Sequence, residues 1–96
     1  MARKAETGLR RRIVLAAKRR YPGIYIEHPH GSMYSAGMLD LVGCLNGSFF
    51  SLEVKMPGNT RVTDLQKEHI VRIRKAGGIA GVVRSVKEAL YVLDQV

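Results

Sequence analysis

The chain has 96 residues, of which 46% are hydrophobic and 25% charged, and its formal net charge at pH 7 is +8. This length predicts a single domain over residues 1–96, and the composition argues against an intrinsically disordered chain. One cysteine excludes an intramolecular disulfide and disfavours a cysteine zinc site. No apolar run approaches the ~20 residues of a membrane span, and the first residues lack a signal-peptide core, so we expect a cytoplasmic protein with no membrane partner.

The first twenty residues are strongly basic. They hold eight of the sixteen lysines and arginines against one acid, Glu6. Such a segment attracts a polyanion through counterion release, and a solvated or membrane-surface helix is the alternative interpretation. Apolar residues recur at helical spacing, so residues 3–20 are predicted to form a helix that ends near Tyr21-Pro22-Gly23.

The rest of the chain alternates strand and helix patterns. Strands are predicted at 24–28, 38–45, 48–55 and 79–84. One helix is predicted from a capping box at Thr63–Gln66 to about Ala76, and a last helix from a second capping box at Ser85–Glu88. The element order α-β-β-β-α-β-α predicts an α/β fold, a mixed central sheet flanked by helices.

Asn46-Gly47 is the turn of a predicted hairpin, and it fixes the register. A two-residue turn pairs residue 45 with residue 48, so Asp40 lies directly opposite Glu53. Directly opposed residues have Cβ atoms ~4.5–5.5 Å apart, and Lys55 shares that face two positions further on. The other face is predicted to face the core, with Gly43 opposite one of its aromatic residues; it carries Leu39, Leu41, Leu45, Phe50, Leu52 and Val54.

The opposed carboxylates predict a metal site. Two such groups repel each other, and a divalent cation between them removes the repulsion. Carboxylate oxygens are hard ligands that suit Mg²⁺ or Mn²⁺. Lys55 beside them can hold a phosphate, stabilise developing negative charge or help to deprotonate a water. The alternative is a solvent-exposed strand face whose acids are surface charges paired with lysine.

Two further polar residues are predicted to face inward. Glu6 lies on or beside the apolar stripe of the first helix, where it could bring a carboxylate to a metal directly or through water. Its alternative role is a favourable interaction with the helix dipole in the first turn. Gln66 could orient water or touch a phosphate, and its alternative role is the capping box alone.

The histidines and the cysteine indicate a function less specifically than the acidic residues do. We expect four residues to line a loop over the site and meet substrate: His28, His30, Ser32 and Tyr34. A zinc site or a histidine general base is the alternative for the histidines. Cys44 has no charged partner in its strand, so it is predicted to be a buried, inert thiol.

Three stretches form a motif in chain order: Gly37-Met38-Leu39-Asp40, then Glu53-Val54-Lys55, then Gly58 and Gln66. With Glu6 on an N-terminal helix, they resemble the PD-(D/E)XK nuclease superfamily, and most closely the VRR-Nuc (virus-type replication-repair nuclease) domain. The resemblance covers nearly the whole chain. It implies a restriction-endonuclease-like fold and hydrolysis of DNA phosphodiester bonds that depends on Mg²⁺ or Mn²⁺.

The resemblance also implies a role for each motif residue. Asp40, Glu53 and the carbonyl of Val54 match metal ligands, and Lys55 matches the catalytic lysine. Glu6 matches the acid of the first helix, which reaches the metal directly or through water. Gln66 matches the glutamine on the helix after the catalytic strand. One position departs from the family, because Leu39 stands where a proline usually precedes the aspartate.

Stand-alone members of this family are small, often phage-encoded, and homodimeric, and they act on branched DNA such as four-way (Holliday) junctions. By that resemblance we expect a structure-specific DNA endonuclease. The residues expected to bind DNA are basic or imidazole side chains: Arg3, Lys4, Arg10, Arg11, Arg12, His30 and Arg61. A non-catalytic nucleic-acid-binding module on a nuclease-like fold is the alternative function.

Overall fold

The computed structural model describes residues 2–29 and 37–96, with side chains described from Ala5 onward in the first helix. The elements in chain order are α1 (Ala2–Arg20), β1 (Tyr25–Glu27), β2 (Leu41–Leu45), β3 (Ser48–Val54), α2 (Asp64–Lys75), β4 (Ile79–Val83) and α3 (Val86–Leu93). This is the predicted order, so the α/β fold class is confirmed.

The described strands form one mixed sheet in the order β1-β2-β3-β4. The first two pairings are antiparallel and β3 pairs with β4 in parallel, so the chain needs a crossover after β3, which α2 provides. The β2–β3 hairpin has the predicted register, with Leu45 opposite Ser48 and Gly43 opposite Phe50. Its turn has positive φ angles, 51° at Asn46 and 82° at Gly47, as a type I′ turn requires.

The sheet lies between two helical layers. On one face α1 and α3 pack on a core that includes Ile13, Phe50 and Leu93. On the other face α2 covers a smaller cluster through Ile70. Because β3 has a strand on each side and helices over both faces, its alternate residues are buried on both sides, including the carboxylate of Glu53.

Leu39 departs from the predicted core face. It packs with Ile70 and Ala80 on the α2 side, whereas Leu41 belongs to the cluster under α1 and α3. The strand begins only at Leu41, so the alternation of side chains along a strand does not extend to residue 39. The placement of Leu39 on the same face as Leu41 is therefore wrong.

Helix α2 begins with the predicted capping box. The Oγ1 of Thr63 accepts a hydrogen bond from the backbone N of Gln66 at 3.1 Å, and the Oε1 of Gln66 accepts one from the backbone N of Thr63 at 3.0 Å. Only half of the second box forms. Ser85 Oγ accepts from the backbone N of Glu88, but Glu88 Oε1 accepts from the backbone N of Arg84 instead of Ser85.

Helix α1 is the longest of the described helices and lays Leu9, Ile13 and Ala17 onto the sheet. Arg11 and Arg12 are exposed on its other faces. Within the described part of the chain, no helix combines the length and the apolar character needed to cross a membrane.

Candidate functional site

Asp40 and Glu53 meet at the open end of the β2–β3 hairpin, as predicted. The backbone N of Asp40 donates to Glu53 Oε1 at 3.2 Å, and Asp40 Oδ2 accepts from the backbone N of Val54 at 2.9 Å. Asp40 is the residue before β2, next to the last hairpin pair, Leu41–Leu52, and these hydrogen bonds hold it beside Glu53. The hairpin therefore fixes both carboxylates.

Glu53 is only 4% exposed, because α2 covers this part of the sheet face. Burial raises the pKa of its carboxyl group, and the nearby charge of Asp40 raises that pKa further. Lys55 and the backbone N of Asp40 act in the opposite direction, since they stabilise the ionised carboxylate. The alternative of a solvent-exposed strand face with surface acids is therefore wrong for Glu53.

Lys55 stands beside the carboxylate pair on the predicted face. Its Nζ lies 3.2 Å from Glu53 Oε2, and its side chain is only 14% exposed. Its backbone N donates to the carbonyl of Val83 at 3.0 Å, which extends the pairing of β3 with β4 past Val54. The ammonium group is thus held by the sheet and by an ion pair of low exposure, where screening by solvent is reduced.

Gln66 forms the predicted capping box and also contacts the acidic pair, while its predicted contact with water or a phosphate stays a prediction. Its Oε1 completes the capping box of α2, and its Nε2 donates to Glu53 Oε2 at 2.9 Å. The two contacts use both ends of the amide, so the oxygen faces Thr63 and the nitrogen faces Glu53. The capping box therefore orients a hydrogen-bond donor toward the buried carboxylate.

His28 contacts the site through the main chain. Its Nδ1 donates to the carbonyl oxygen of Asp40 at 2.7 Å, and because a carbonyl only accepts, Nδ1 carries the hydrogen in this contact. The sequence predicted a substrate contact for His28 but missed this one. The pairing of Glu27 with Val42 places His28 beside the start of β2, and no local signal fixes that register because a long connection separates the two strands.

Arg84 makes a second contact that the sequence did not reveal. Its Nε and one terminal nitrogen donate to the carbonyl oxygen of Asn59 at 3.1 and 2.8 Å. This contact ties the loop between Lys55 and α2 to the end of β4. No sequence motif marks it, because it depends on where the parallel strand β4 returns to the sheet.

Cys44 is exposed, so the prediction of a buried thiol is wrong. It lies in a row of exposed residues across the sheet, opposite Tyr25 on β1 and Phe49 on β3. These residues are on the α2 face, and the main contacts of α2 with the sheet are with β3 and β4. The β1–β2 half of that face is therefore not covered by α2.

Glu6 is not placed with the other two acids. Among residues 2–29 and 37–96, no group of three or more His, Cys, Asp and Glu residues is arranged to hold a metal ion. The first turn of α1 contains no acid, so the helix-dipole role considered for Glu6 is wrong.

The residues predicted to contact DNA are only partly described. Arg10 is half-buried and Arg11 and Arg12 are exposed on α1, while Arg61 is exposed and its backbone N donates to Asn59 Oδ1 at 2.9 Å. Several predictions fall outside the described part of the structure: the side chains of Arg3 and Lys4, and the residues His30, Ser32 and Tyr34.

The donors at Asp40 and Glu53 fit a divalent cation that prefers oxygen. Mg²⁺ is typically held by one or two carboxylates while waters and substrate phosphate complete its coordination, so a pair of acids suffices. A cation there would offset the repulsion that helps to raise the pKa of Glu53. Among the described residues, none donates a hydrogen bond to Asp40 Oδ1, and none of their buried side-chain oxygens lacks a hydrogen-bond partner, so this oxygen is not fully buried.

Two solved structures resemble this chain over most of its length. One, described as a VRR_NUC domain protein, has a TM-score of 0.77 and 25% sequence identity, covering 94% of this chain and 85% of that one. The other, described as a VRR_NUC domain, has a TM-score of 0.66 and 28% identity, covering 86% of this chain and 91% of that one. No protein-family model and no curated protein matches the sequence. The prediction of a VRR-Nuc domain is confirmed by these structures, and the chain has the nuclease-type fold of that family.

Proposed function

We propose that the protein is a divalent-metal-dependent endonuclease that hydrolyses DNA phosphodiester bonds and acts on branched DNA such as four-way junctions. The observation that carries the proposal is the buried carboxylate of Glu53, which faces Asp40 and accepts hydrogen bonds from Lys55 and Gln66. The similarity to VRR-Nuc structures supports a nuclease over other functions of an acidic pair.

In this proposal Asp40 and Glu53 hold Mg²⁺ or Mn²⁺, with the carbonyl of Val54 as a third ligand. Glu6 is assigned a contact through water, because the described structure does not group its carboxylate with the other two. When bound, such a cation stabilises negative charge on a phosphate and lowers the pKa of a coordinated water.

The side chains around the pair have separable roles in this proposal. During hydrolysis a water oxygen bonds to phosphorus, the bond from phosphorus to one sugar oxygen breaks, and that oxygen gains a proton. Lys55 neutralises negative charge that develops on the phosphate. Gln66 and His28 position the acids, since one binds the carboxylate of Glu53 and the other the main chain of Asp40.

The basic surface supplies affinity for the DNA backbone. The net charge of +8 is concentrated in α1, and Arg10, Arg11 and Arg12 lie within that helix. Arg61 is exposed on the loop after β3. Contacts from Arg3, Lys4 and His30 belong to the same proposal. Phosphate contacts of this kind give binding that weakens as salt rises.

A cleavage panel tests the proposal. Duplex, single-stranded, flap and four-way DNA are each incubated with the protein in Mg²⁺, in Mn²⁺ and in EDTA. We expect branched DNA to be cut in either metal and no DNA to be cut in EDTA. A salt-sensitive mobility shift with no cleavage in any metal supports the non-catalytic binding module instead. A protein that neither binds nor cuts DNA contradicts both functions.

A further inference from the structure

A groove lies between α1 and His28, the residue that follows β1. Its volume is about 420 Å³, and it is lined by Arg10, Arg11, Val14, Leu15 and His28. This volume is within the range of sites that bind small molecules. The groove adjoins the site through His28, whose Nδ1 bonds to the carbonyl of Asp40 at 2.7 Å.

Core packing does not explain Leu15, the exposed apolar residue of this groove. Leu15 is 61% exposed, although α1 buries Leu9 and Ile13 on the face toward the sheet. Its neighbour Val14 is half-buried and packs against the main core, which gives the groove an apolar floor.

The charged part of the groove lies one helical turn earlier. Arg10 precedes Val14 by four residues and Arg11 precedes Leu15 by four, so each arginine lies on the same helix face as one apolar residue. Two positive charges therefore stand at one end of an apolar surface. A nucleotide has the matching parts, a charged phosphate and a flat base with apolar faces.

We infer that this groove binds one unstacked nucleotide of the DNA strand next to the phosphate that is cut, an inference that rests on the proposed function. The arginines hold the nucleotide's phosphate, because guanidinium groups bind phosphate oxygens in pairs. The base packs on Leu15 and Val14. The His28 ring adds a surface of the kind on which unstacked bases stack.

A groove that holds one unstacked nucleotide distinguishes between classes of DNA. Inside a continuous duplex every base is paired and stacked, so only phosphates reach such a groove. An unpaired nucleotide at a branch point, in a flap or in a single strand can insert its base. Packing against a base face tolerates any base, so the groove selects DNA shape and not sequence.

Binding measurements with abasic DNA test the inference. A flap DNA is compared with versions in which one unpaired nucleotide at a time keeps its sugar and phosphate but lacks its base. Affinity is measured in EDTA by fluorescence anisotropy. The intact flap is expected to bind the wild type roughly tenfold or more tightly than the DNA lacking the base at one position of the arm.

Variants separate the two parts of the groove. Leu15→Ser is expected to remove the preference for the intact flap while keeping affinity for the abasic DNA. Arg11→Ala is expected to weaken the binding of both DNAs equally. It should also reduce, by about one, the slope of the logarithm of the binding constant against the logarithm of the salt concentration. Tyr91→Ser is the matched control, since Tyr91 is 69% exposed beside β4, at the opposite edge of the sheet from β1, and it is expected to keep the full preference.

Circular dichroism verifies that the variants fold, which the exposure of Leu15 and Tyr91 leads us to expect. The inferred nucleotide groove is overturned if the wild type binds the intact flap and all abasic flaps with equal affinity, or if Leu15→Ser keeps the full preference. If the same preparations still cut DNA, the endonuclease proposal is unaffected by that result. If the wild type prefers the intact flap but cuts no DNA in any metal, the endonuclease proposal is contradicted and the inferred nucleotide groove stands. A wild type that binds no DNA at low salt contradicts both.

Discussion

At the scale of single residues, Glu53 is the point where the parts of the site meet. Its carboxylate accepts hydrogen bonds from the backbone N of Asp40, from Gln66 Nε2 and from Lys55 Nζ. These donors come from the start of β2, from α2 and from the end of β3. A change in the position of any of the three elements therefore alters a hydrogen bond to the buried carboxylate of Glu53.

The raised pKa of Glu53 predicts how the free energy of unfolding depends on pH. In EDTA, Glu53→Gln is expected to have a higher free energy of unfolding than the wild type at neutral pH, because the folded environment disfavours the ionised carboxylate. A raised pKa contributes stability that is fully present below the unfolded value, 4.5, and is lost as the pH rises through the folded value. The difference between the two proteins should therefore grow as the pH rises above 4.5 and shrink below it. Urea unfolding across this range measures it, and a variant less stable than the wild type at pH 7 contradicts the account.

Gln66→Glu separates the two contacts of that side chain. Glutamate at the same position can still accept from the backbone N of Thr63, so the capping box is preserved. It cannot donate to Glu53, and it adds a negative charge there. We expect helix content to stay constant by circular dichroism while the single-turnover cleavage rate falls roughly tenfold or more. An unchanged rate would show that the bond to Glu53 has no role in cleavage.

At the scale of elements, the start of α2 links local stability to the site. Thr63→Ala is expected to cost about 0.5–2 kcal/mol of the free energy of unfolding, the usual effect of losing an N-cap. It should also slow cleavage, because the backbone N of Gln66 loses its acceptor, Thr63 Oγ1, and the first turn of α2 that positions the Gln66 amide is held less firmly. Ser85→Ala is the matched control, since it removes the N-cap of α3, which packs on the other face of the sheet. If both variants slow cleavage equally at equal stability, the capping box does not position Gln66.

The close contact between β1 and the β2–β3 hairpin depends on Gly43. A Cβ atom there would overlap the carbonyl oxygen of Tyr25 and stand 2.5 Å from the Phe50 ring. Gly43→Ala is expected to lower the free energy of unfolding by about 1–3 kcal/mol, as overpacking typically does. Gly8→Ala is the control, because its Cβ would meet only a flexible Arg12 nitrogen at 3.4 Å, and it is expected to stabilise α1 by about 0.5–1 kcal/mol. Chemical denaturation of both variants compares the two changes, and a Gly43→Ala variant as stable as the wild type contradicts this packing.

The hairpin explains why the central pair could be predicted from the sequence. Asn46-Gly47 encodes the turn and so fixes which residues face each other, which made the Asp40–Glu53 pairing a local inference. The errors are at positions where tertiary packing decides. Leu39 lies before the strand begins, and the exposure of Cys44 depends on which half of the sheet α2 covers.

The contacts of His28 and Arg84 could not be predicted for a related reason. Each joins residues that are far apart in sequence, across the long connection from β1 to β2 or across the crossover to β4. Neither register is set by a turn motif. Such contacts are set by how the strands assemble into the sheet and not by the local sequence.

At the scale of the whole molecule, small size predicts a homodimer. The Cα positions of the described residues span only 31 × 29 × 25 Å, a small surface for grasping a branched duplex. Two copies would supply two sites and a longer basic surface. Light scattering at micromolar concentration is expected to give twice the 10.7 kDa of one chain. A mass near that of one chain counts against the dimer without affecting the assignment of the site.

The central claim is that the acidic pair and its lysine cut DNA, and the single-turnover cleavage rate in Mn²⁺ tests it most directly. Lys55→Ala and Asp40→Asn are each expected to lower the rate on branched DNA by roughly 10²-fold or more, while DNA affinity in EDTA stays close to that of the wild type. Lys87→Ala removes an equal charge from an exposed position on α3 and is expected to cut normally. Full cleavage activity in both Lys55→Ala and Asp40→Asn would contradict the account.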